Sequence, residues 1–273
     1  MRKVKKMNNY KSFYGFSREP FSQDIKTDEL YETPTLQAFT ERFLYSITIA
    51  AVTVVTGEAG SGKSTALRYA SEKLHPSMYR VISVIANTGS VIEMLRQICI
   101  CLDIECRTHS IAILIKTIKN ILAEITQKKQ MPVLIIDEAQ LMRIEVFAQI
   151  HTIGQFEMDS KLVLPIILSG QNNLIDKLLY PLSRPIATRI VGRSHFEGMK
   201  LKDTAQYLKW HLEIAGIKEH LFSEESVLAI HQSSGGLPRK INNLARCSLI
   251  ASAKEKSQLV SAEHVRIAST EII

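Results

Sequence analysis

The stretch Gly57-Glu58-Ala59-Gly60-Ser61-Gly62-Lys63-Ser64 lies between the apolar run Val52–Thr56 and a helical pattern over Ser64–Leu74, and it constrains the chain more than any other segment. Glycine costs roughly 1 kcal/mol relative to alanine inside a helix. Three glycines in six residues therefore argue for a tight turn that needs positive φ and a close backbone approach. The segment fits G-x-x-x-x-G-K-[S/T] in the strand–turn–helix setting that this pattern requires. In such a turn consecutive amides and a helix N-terminus point at one anion. Residues Gly57 to Thr65 are thus expected to cradle phosphates, with Lys63 adding charge and Ser64 offering its hydroxyl to Mg²⁺.

A second motif agrees with the first. Leu134-Ile135-Ile136-Asp137-Glu138 is an apolar run ending in two acids. At the C-terminal edge of a parallel sheet such residues face the ligand crevice. Asp137 is expected to hold Mg²⁺, directly or through water, and Glu138 to orient and polarise the attacking water. Together the motifs imply hydrolysis of a nucleoside triphosphate, with ATP and Mg²⁺ as the expected cofactors. Gln171, after Ser169-Gly170, is the candidate sensor of the γ-phosphate. Arg239, in Gly235-Gly236-Leu237-Pro238-Arg239, is the candidate arginine reaching the phosphates from a C-terminal segment.

Short apolar runs at Val52–Thr56, Arg80–Ala86, Val133–Ile136 and Leu162–Leu168, with a possible edge strand at Thr188–Val191, alternate with helical patterns at 91–102 and 111–126. That alternation predicts an α/β fold with a mostly parallel sheet flanked by helices. In the second helix Ile111, Leu114, Ile115, Ile118, Leu122 and Ile125 share one face, as core packing requires. After Phe196 strand signals stop. Asp203 and Gln206 stand at capping-box spacing, Ser223 can cap a helix from Glu224, and Pro238 suits a first helical turn. The expected domains are a basic flexible arm at 1–12, an α/β nucleotide-binding domain at 13–196 and a helical lid at 197–273.

The chain has 34 Lys and Arg against 27 Asp and Glu, a formal net charge of +7, which suits an anionic partner such as duplex DNA. Arg2, Lys3, Lys5, Lys6 and Lys11 make the first twelve residues read as a solvated flexible tail, with an arm that touches phosphates as the alternative, and they lack the apolar run of a secretion signal. No stretch is apolar enough for a membrane span. Cys99, Cys101 and Cys106 lack the paired spacing of a zinc site, so they and Cys247 read as reduced thiols of a cytoplasmic protein.

With these residues in view, the chain resembles AAA+ ATPases of the ExeA type, a group also similar to the transposition helper ATPases MuB, TniB and TnsC. The likeness covers about residues 13–270. It rests on Phe13-Tyr14-Gly15-Phe16 with Pro20-Phe21, on the glycine-rich turn, on Ile135-Ile136-Asp137-Glu138-Ala139-Gln140, on Ser169-Gly170-Gln171, and on Gly235–Arg239 followed by Ile241-Asn242-Asn243-Leu244. Gln155 departs from the family, which often has asparagine there. The resemblance implies a five-stranded parallel sheet in the order 5-1-4-3-2 and self-association in a ring or helical filament with nucleotide between subunits. It implies an arginine finger from the neighbour, matched best by Arg189 and next by Arg184. It further implies one of three roles. The first is regulation of DNA transposition, with ATP assembling subunits on duplex DNA beside a transposase and hydrolysis releasing them. The second is an ExeA-like role in secretion and cell-envelope assembly, and the third is helicase-loader-like DNA remodelling. ExeA-type proteins usually continue into a membrane span and a wall-binding domain, which this sequence does not show.

Overall fold

The computed structural model describes residues 9–156 and 163–271. In chain order the elements are α1 (Asn9–Tyr14), α2 (Pro34–Thr48), β1 (Val52–Gly57), α3 (Lys63–Glu72), β2 (Tyr79–Ile85), α4 (Val91–Cys101), α5 (Ile111–Gln127) and β3 (Met131–Asp137). They continue as α6 (Ile144–Ile153), β4 (Ile166–Gly170), α7 (Leu174–Leu179), α8 (Arg184–Ala187), β5 (Ile190–Phe196), α9 (Leu201–Ile214), α10 (Glu224–Ser234), α11 (Pro238–Lys254) and α12 (Ala262–Glu271). The elements divide into two units. One is an α/β unit of residues 34–59 and 63–196; the other is a helical unit of residues 9–33, 60–62 and 197–271.

The five strands form one parallel sheet in the order β2-β3-β4-β1-β5, the expected order read from its other edge. The central strands are continuous apolar runs because helices cover both faces: every residue of β1 is buried, as is every residue of β4. The register decides what meets at the C-terminal edge. Val55 lies opposite Ser169, Thr56 opposite Gly170, Ile136 opposite Leu168 and Ile85 opposite Asp137, so Asp137 comes level with Ser169 while Gly57 stands two residues beyond Val55 at the same edge. The core of this unit joins Val54, Ile82, Val84, Leu134 and Ile136 to Leu95 and Ile98 of α4, Leu114, Ile118 and Leu122 of α5, and Phe147 of α6. Cys99 is a core group: burial, and then a hydrogen bond with Cys106, pushes its thiol up to about 12. Helix α4 also carries a capping box, Ser90 with Glu93, that the sequence reading passed over.

Three element boundaries differ from expectation for identifiable reasons. Regular pairing of β4 begins at Ile166 because Pro165 has no N–H to give the ladder; its carbonyl instead accepts from Leu134 N–H at 3.0 Å. Leu162, where that strand was expected to start, lies outside the described residues. Strand β5 runs Ile190–Phe196 because the amides of Thr188 and Arg189 bond back to Arg184 and Ile186 at the end of α8. Its alternation of exposed Val191, Arg193 and His195 with buried Ser194 and Phe196 hides it among polar residues. Helix α9 starts at Leu201 without a side-chain cap, so the expected Asp203–Gln206 box does not form; Gln206 accepts from the Tyr31 hydroxyl at 2.6 Å. Ser223 caps α10 as expected, accepting from Ser226 N–H at 3.2 Å, and Pro238 opens α11.

The helical unit has its own core, drawn from both ends of the chain. Tyr10, Tyr14, Phe16 and Phe21 pack with Leu208 and Leu212 of α9, Ile241, Leu244 and Leu249 of α11, and Val265 of α12. Ser17 N–H and Oγ both donate to the Ala215 carbonyl at 2.9 Å, and Trp210 Nε1–H donates to the Glu29 carbonyl at 2.9 Å. Residues 13–33, expected with the α/β domain, therefore belong to the helical unit, because their aromatic side chains find their apolar partners there. Of the expected basic arm, Arg2, Lys3, Lys5 and Lys6 lie outside the described residues, while Lys11 is part of α1 and pairs with Glu19 at 3.0 Å. Among the described residues no helix is long and apolar enough to cross a membrane.

At the centre of this core His211 stacks on Phe21, with ring centroids 5.1 Å apart, beside Tyr207, whose hydroxyl donates to Asn242 Oδ1 at 2.9 Å. Burial, then the Arg18 and Arg246 charges, lowers the His211 imidazole from 6.5 to about 4. The unfolded chain therefore binds this proton more readily, so stability is full above about pH 6.5 and is lost as pH falls toward 4. Urea unfolding at pH 7 and pH 5 should show His211 costing about 2 kcal/mol between them. In His211→Phe the pH-dependent loss should shrink by that amount; an unchanged pH dependence would refute the assignment.

Candidate active site

Strand β1 delivers Gly57 to the sheet edge, and α3 begins at Lys63 five residues after Glu58. Between them Gly60 and Gly62 take φ of +82° and +97°, which the left-handed region makes costly for any residue with a Cβ. Gly60 is part of the helical unit and not of the α/β unit: its carbonyl accepts from Arg239 N–H at 3.2 Å, and a Cβ on it would meet Arg239 Cβ at 2.8 Å. Ser61 is buried, and its hydroxyl has no partner among the described residues. Glu58 and Ala59 are exposed at the tip, and Thr65 is exposed on α3. Lys63 is only 6% exposed. A buried ammonium needs acceptors; Nζ donates to the carbonyls of Gly57 at 2.9 Å and Glu58 at 2.8 Å, which fixes it in the curl of the turn.

Asp137 gathers three segments. Ser64 Oγ, from the first turn of α3, donates to its Oδ2 at 2.6 Å. Ser169 Oγ, from the buried end of β4, donates to Oδ1 at 2.8 Å, and the Glu138 amide donates to the same oxygen at 2.9 Å. Hydroxyl and carboxylate oxygens held this close are the hard donors that Mg²⁺ takes alongside water, so the residues present fit the expected ion. An open cavity of about 1020 Å³ begins at Ser64 and Asp137 and runs over one face of β2 between α3 and α5.

Glu138 stands next to Asp137 with φ of 55°, a left-handed backbone that costs on the order of 1 kcal/mol. Its carboxylate accepts from Gln140 Nε2 at 2.6 Å. The other end of that amide, Gln140 Oε1, accepts from the Gln171 backbone N–H at 3.0 Å. The Gln171 side chain is exposed just beyond β4.

The structure thus brings Lys63, Ser64, Asp137, Glu138 and Gln171 to one edge of the sheet. It does not bring Arg184 or Arg189 there. Arg184 is exposed at the start of α8. Arg189 lies at the edge where strands begin, its carbonyl accepting from Val52 N–H at 3.3 Å. Two members of the cluster, Ser169 and Gln140, were quoted in sequence motifs without a role. Their signal was a hydroxyl at the end of a buried strand and an amide two residues after the acid pair.

Residues 48–178 match the family model described as AAA domain. The chain is 27% identical over 266 residues to the General secretion pathway protein A of Aeromonas hydrophila. That match takes in 96% of this chain and 48% of the relative, so the chain spans about half of that protein's length. Among solved structures, Cdc6p from Pyrobaculum aerophilum aligns with a TM-score of 0.74 at 16% identity, over 93% of this chain and 70% of that one. The ORC1 protein of Aeropyrum pernix in complex with DNA aligns at 0.69 and 14% identity, over 92% of this chain and 68% of the other. The fold is therefore the AAA+ P-loop fold.

Removing the shared acceptor should be felt at once. Asp137→Ala leaves the fully buried Ser169 hydroxyl without its partner. Chemical denaturation should show a loss of about 1–3 kcal/mol, with Asp137→Asn milder because it retains an acceptor oxygen.

Proposed function

We propose that this chain is a Mg²⁺-dependent ATP hydrolase whose nucleotide state switches how copies of it associate. The convergence of Lys63, Ser64, Asp137 and Glu138 at one sheet edge, with Ser64 Oγ 2.6 Å from Asp137, is the observation that carries this reading. In it the amides of residues 58–64 and the Lys63 ammonium bind the β- and γ-phosphates. Ser64 and Asp137 hold Mg²⁺, which when bound neutralises charge on the phosphate oxygens. Glu138 orients a water and takes its proton as the water oxygen bonds to the γ-phosphorus and the bond to ADP breaks. Gln171 meets the γ-phosphate, and Arg239 adds charge. Arg189, with Arg184 as second candidate, serves the site of a neighbouring copy, a contribution of about 10³–10⁵ in rate where such a finger operates.

Two kinds of work suit such a switch. The net charge of +7 and the likeness to an ORC1 protein solved with DNA support ATP-dependent assembly on duplex DNA. In that reading the chain regulates transposition beside a transposase in the cytoplasm, or remodels DNA in the manner of a helicase loader. The similarity over 96% of the chain to a general secretion pathway protein supports work in secretion and cell-envelope assembly.

Lys63→Ala should lose tight ATP binding, measured by calorimetry. Glu138→Gln should still bind ATP but turn it over at least about 100-fold more slowly; retained turnover in that variant would remove Glu138 from the chemistry. Fluorescence anisotropy with duplex DNA separates the two kinds of work. On the DNA reading, binding is tighter with a non-hydrolysable ATP analogue than without it and weakens steeply from about 50 to 200 mM salt. Indifference to both nucleotide and salt leaves the secretion reading.

A further inference from the structure

We infer that Gln140 is a positioning residue that couples the end of β4 to the Glu138 carboxylate, an inference that rests on Glu138 being the group that activates water. The side chain is 4% exposed, and each end of its amide is committed. Nε2 donates to Glu138 Oε2 at 2.6 Å, and Oε1 accepts from the Gln171 amide at 3.0 Å. The two partners dictate the orientation. Turning the amide over would set an oxygen against a carboxylate and an NH₂ against an N–H, so the bonding pattern allows one arrangement.

The backbone around Gln140 is built to keep it there. The turn Ala139–Leu141 closes with Leu141 N–H on the Glu138 carbonyl at 2.8 Å, which swings Gln140 back toward the sheet edge. A Cβ on Gly170 would lie 2.5 Å from Gln140 Oε1 and 3.1 Å from its backbone nitrogen, so only glycine at that strand end leaves the seat open. Glu138 takes up the strain, with its φ of 55°.

A buried glutamine that only satisfied the Gln171 amide would explain the Oε1 bond. It would not explain why Nε2 is spent on the carboxylate of the partly exposed Glu138, which has water for its hydration. The arrangement makes a two-bond relay. A displacement of the Gln171 backbone, as the γ-phosphate comes or goes, moves Oε1 and therefore the bond that holds Oε2 of Glu138. With Oε2 tied, Oε1 of Glu138 is the oxygen presented to the water.

The test uses the full chain and compares ATP turnover, ATP affinity and the pH dependence of kcat in Gln140→Leu, Gln140→Glu and Gly170→Ala, with Glu138→Gln as control. Gln140→Leu should lower kcat about tenfold or more, a share of what a positioned base contributes, while ATP affinity stays within about twofold. Gln140→Glu puts a second carboxylate against the first, so the acid limb of the kcat profile should move up by about one pH unit or more. Gly170→Ala displaces Oε1 while leaving both polar side chains intact, and should reproduce the fall in kcat even if Gln140→Leu folds poorly. Three variants with wild-type kcat and an unmoved acid limb, beside an inactive Glu138→Gln, would overturn the relay and leave the hydrolase reading standing. Turnover retained in Glu138→Gln would overturn both.

Discussion

A carboxylate at the end of a buried strand is tolerable only if donors surround it, and Asp137 has drawn its donors from three places in the chain. Ser64, Ser169 and the Glu138 amide each bond to it. Bonds of this kind, to a charged acceptor, contribute about 1.5–3 kcal/mol each. Their arrangement matters more than their sum. They fix the glycine-rich turn's helix, the end of β4 and the acid pair relative to one another, so three sequence motifs become one site. Lys63 performs the matching service for positive charge, tied to the two carbonyls at the mouth of the turn.

Much of this could be read before any coordinates, and the reason is local. Strands β1 and β3 are buried on both faces, so they appear as unbroken apolar runs, and the turn after β1 is recognisable because no other residue type tolerates φ near +82° and +97° so readily. Strand β5 was misplaced because it is an edge strand whose alternating exposure admits Arg193 and His195. The start of β4 was misplaced because one missing amide, at Pro165, delays a ladder that the apolar pattern alone would begin earlier.

What stayed hidden is non-local. The Ser169–Asp137 bond depends on the register that sets Ile136 opposite Leu168, and no single-sequence pattern states a register. Gln140 escaped for a related reason: its value lies in a backbone amide thirty-one positions away. The aromatic residues from Phe13 to Phe21 form a motif in the sequence, but the α/β domain next to them was their expected place, because nothing in the segment itself says that Leu208 and Leu244 are its partners.

That last packing arrangement bears on how the molecule is made. The helical unit cannot close its core until α9 and α11 exist, yet its tyrosines and phenylalanines at residues 10–21 are synthesised before the whole α/β unit. At a synthesis rate of about 5–20 residues per second the wait is on the order of ten seconds or more, during which the intervening sheet has time to assemble. The aromatic segment is thus held over until the chain beyond the sheet has been made. A ribosome that stalls or stops early leaves it uncovered, and truncated chains of this protein carry a built-in tendency to aggregate.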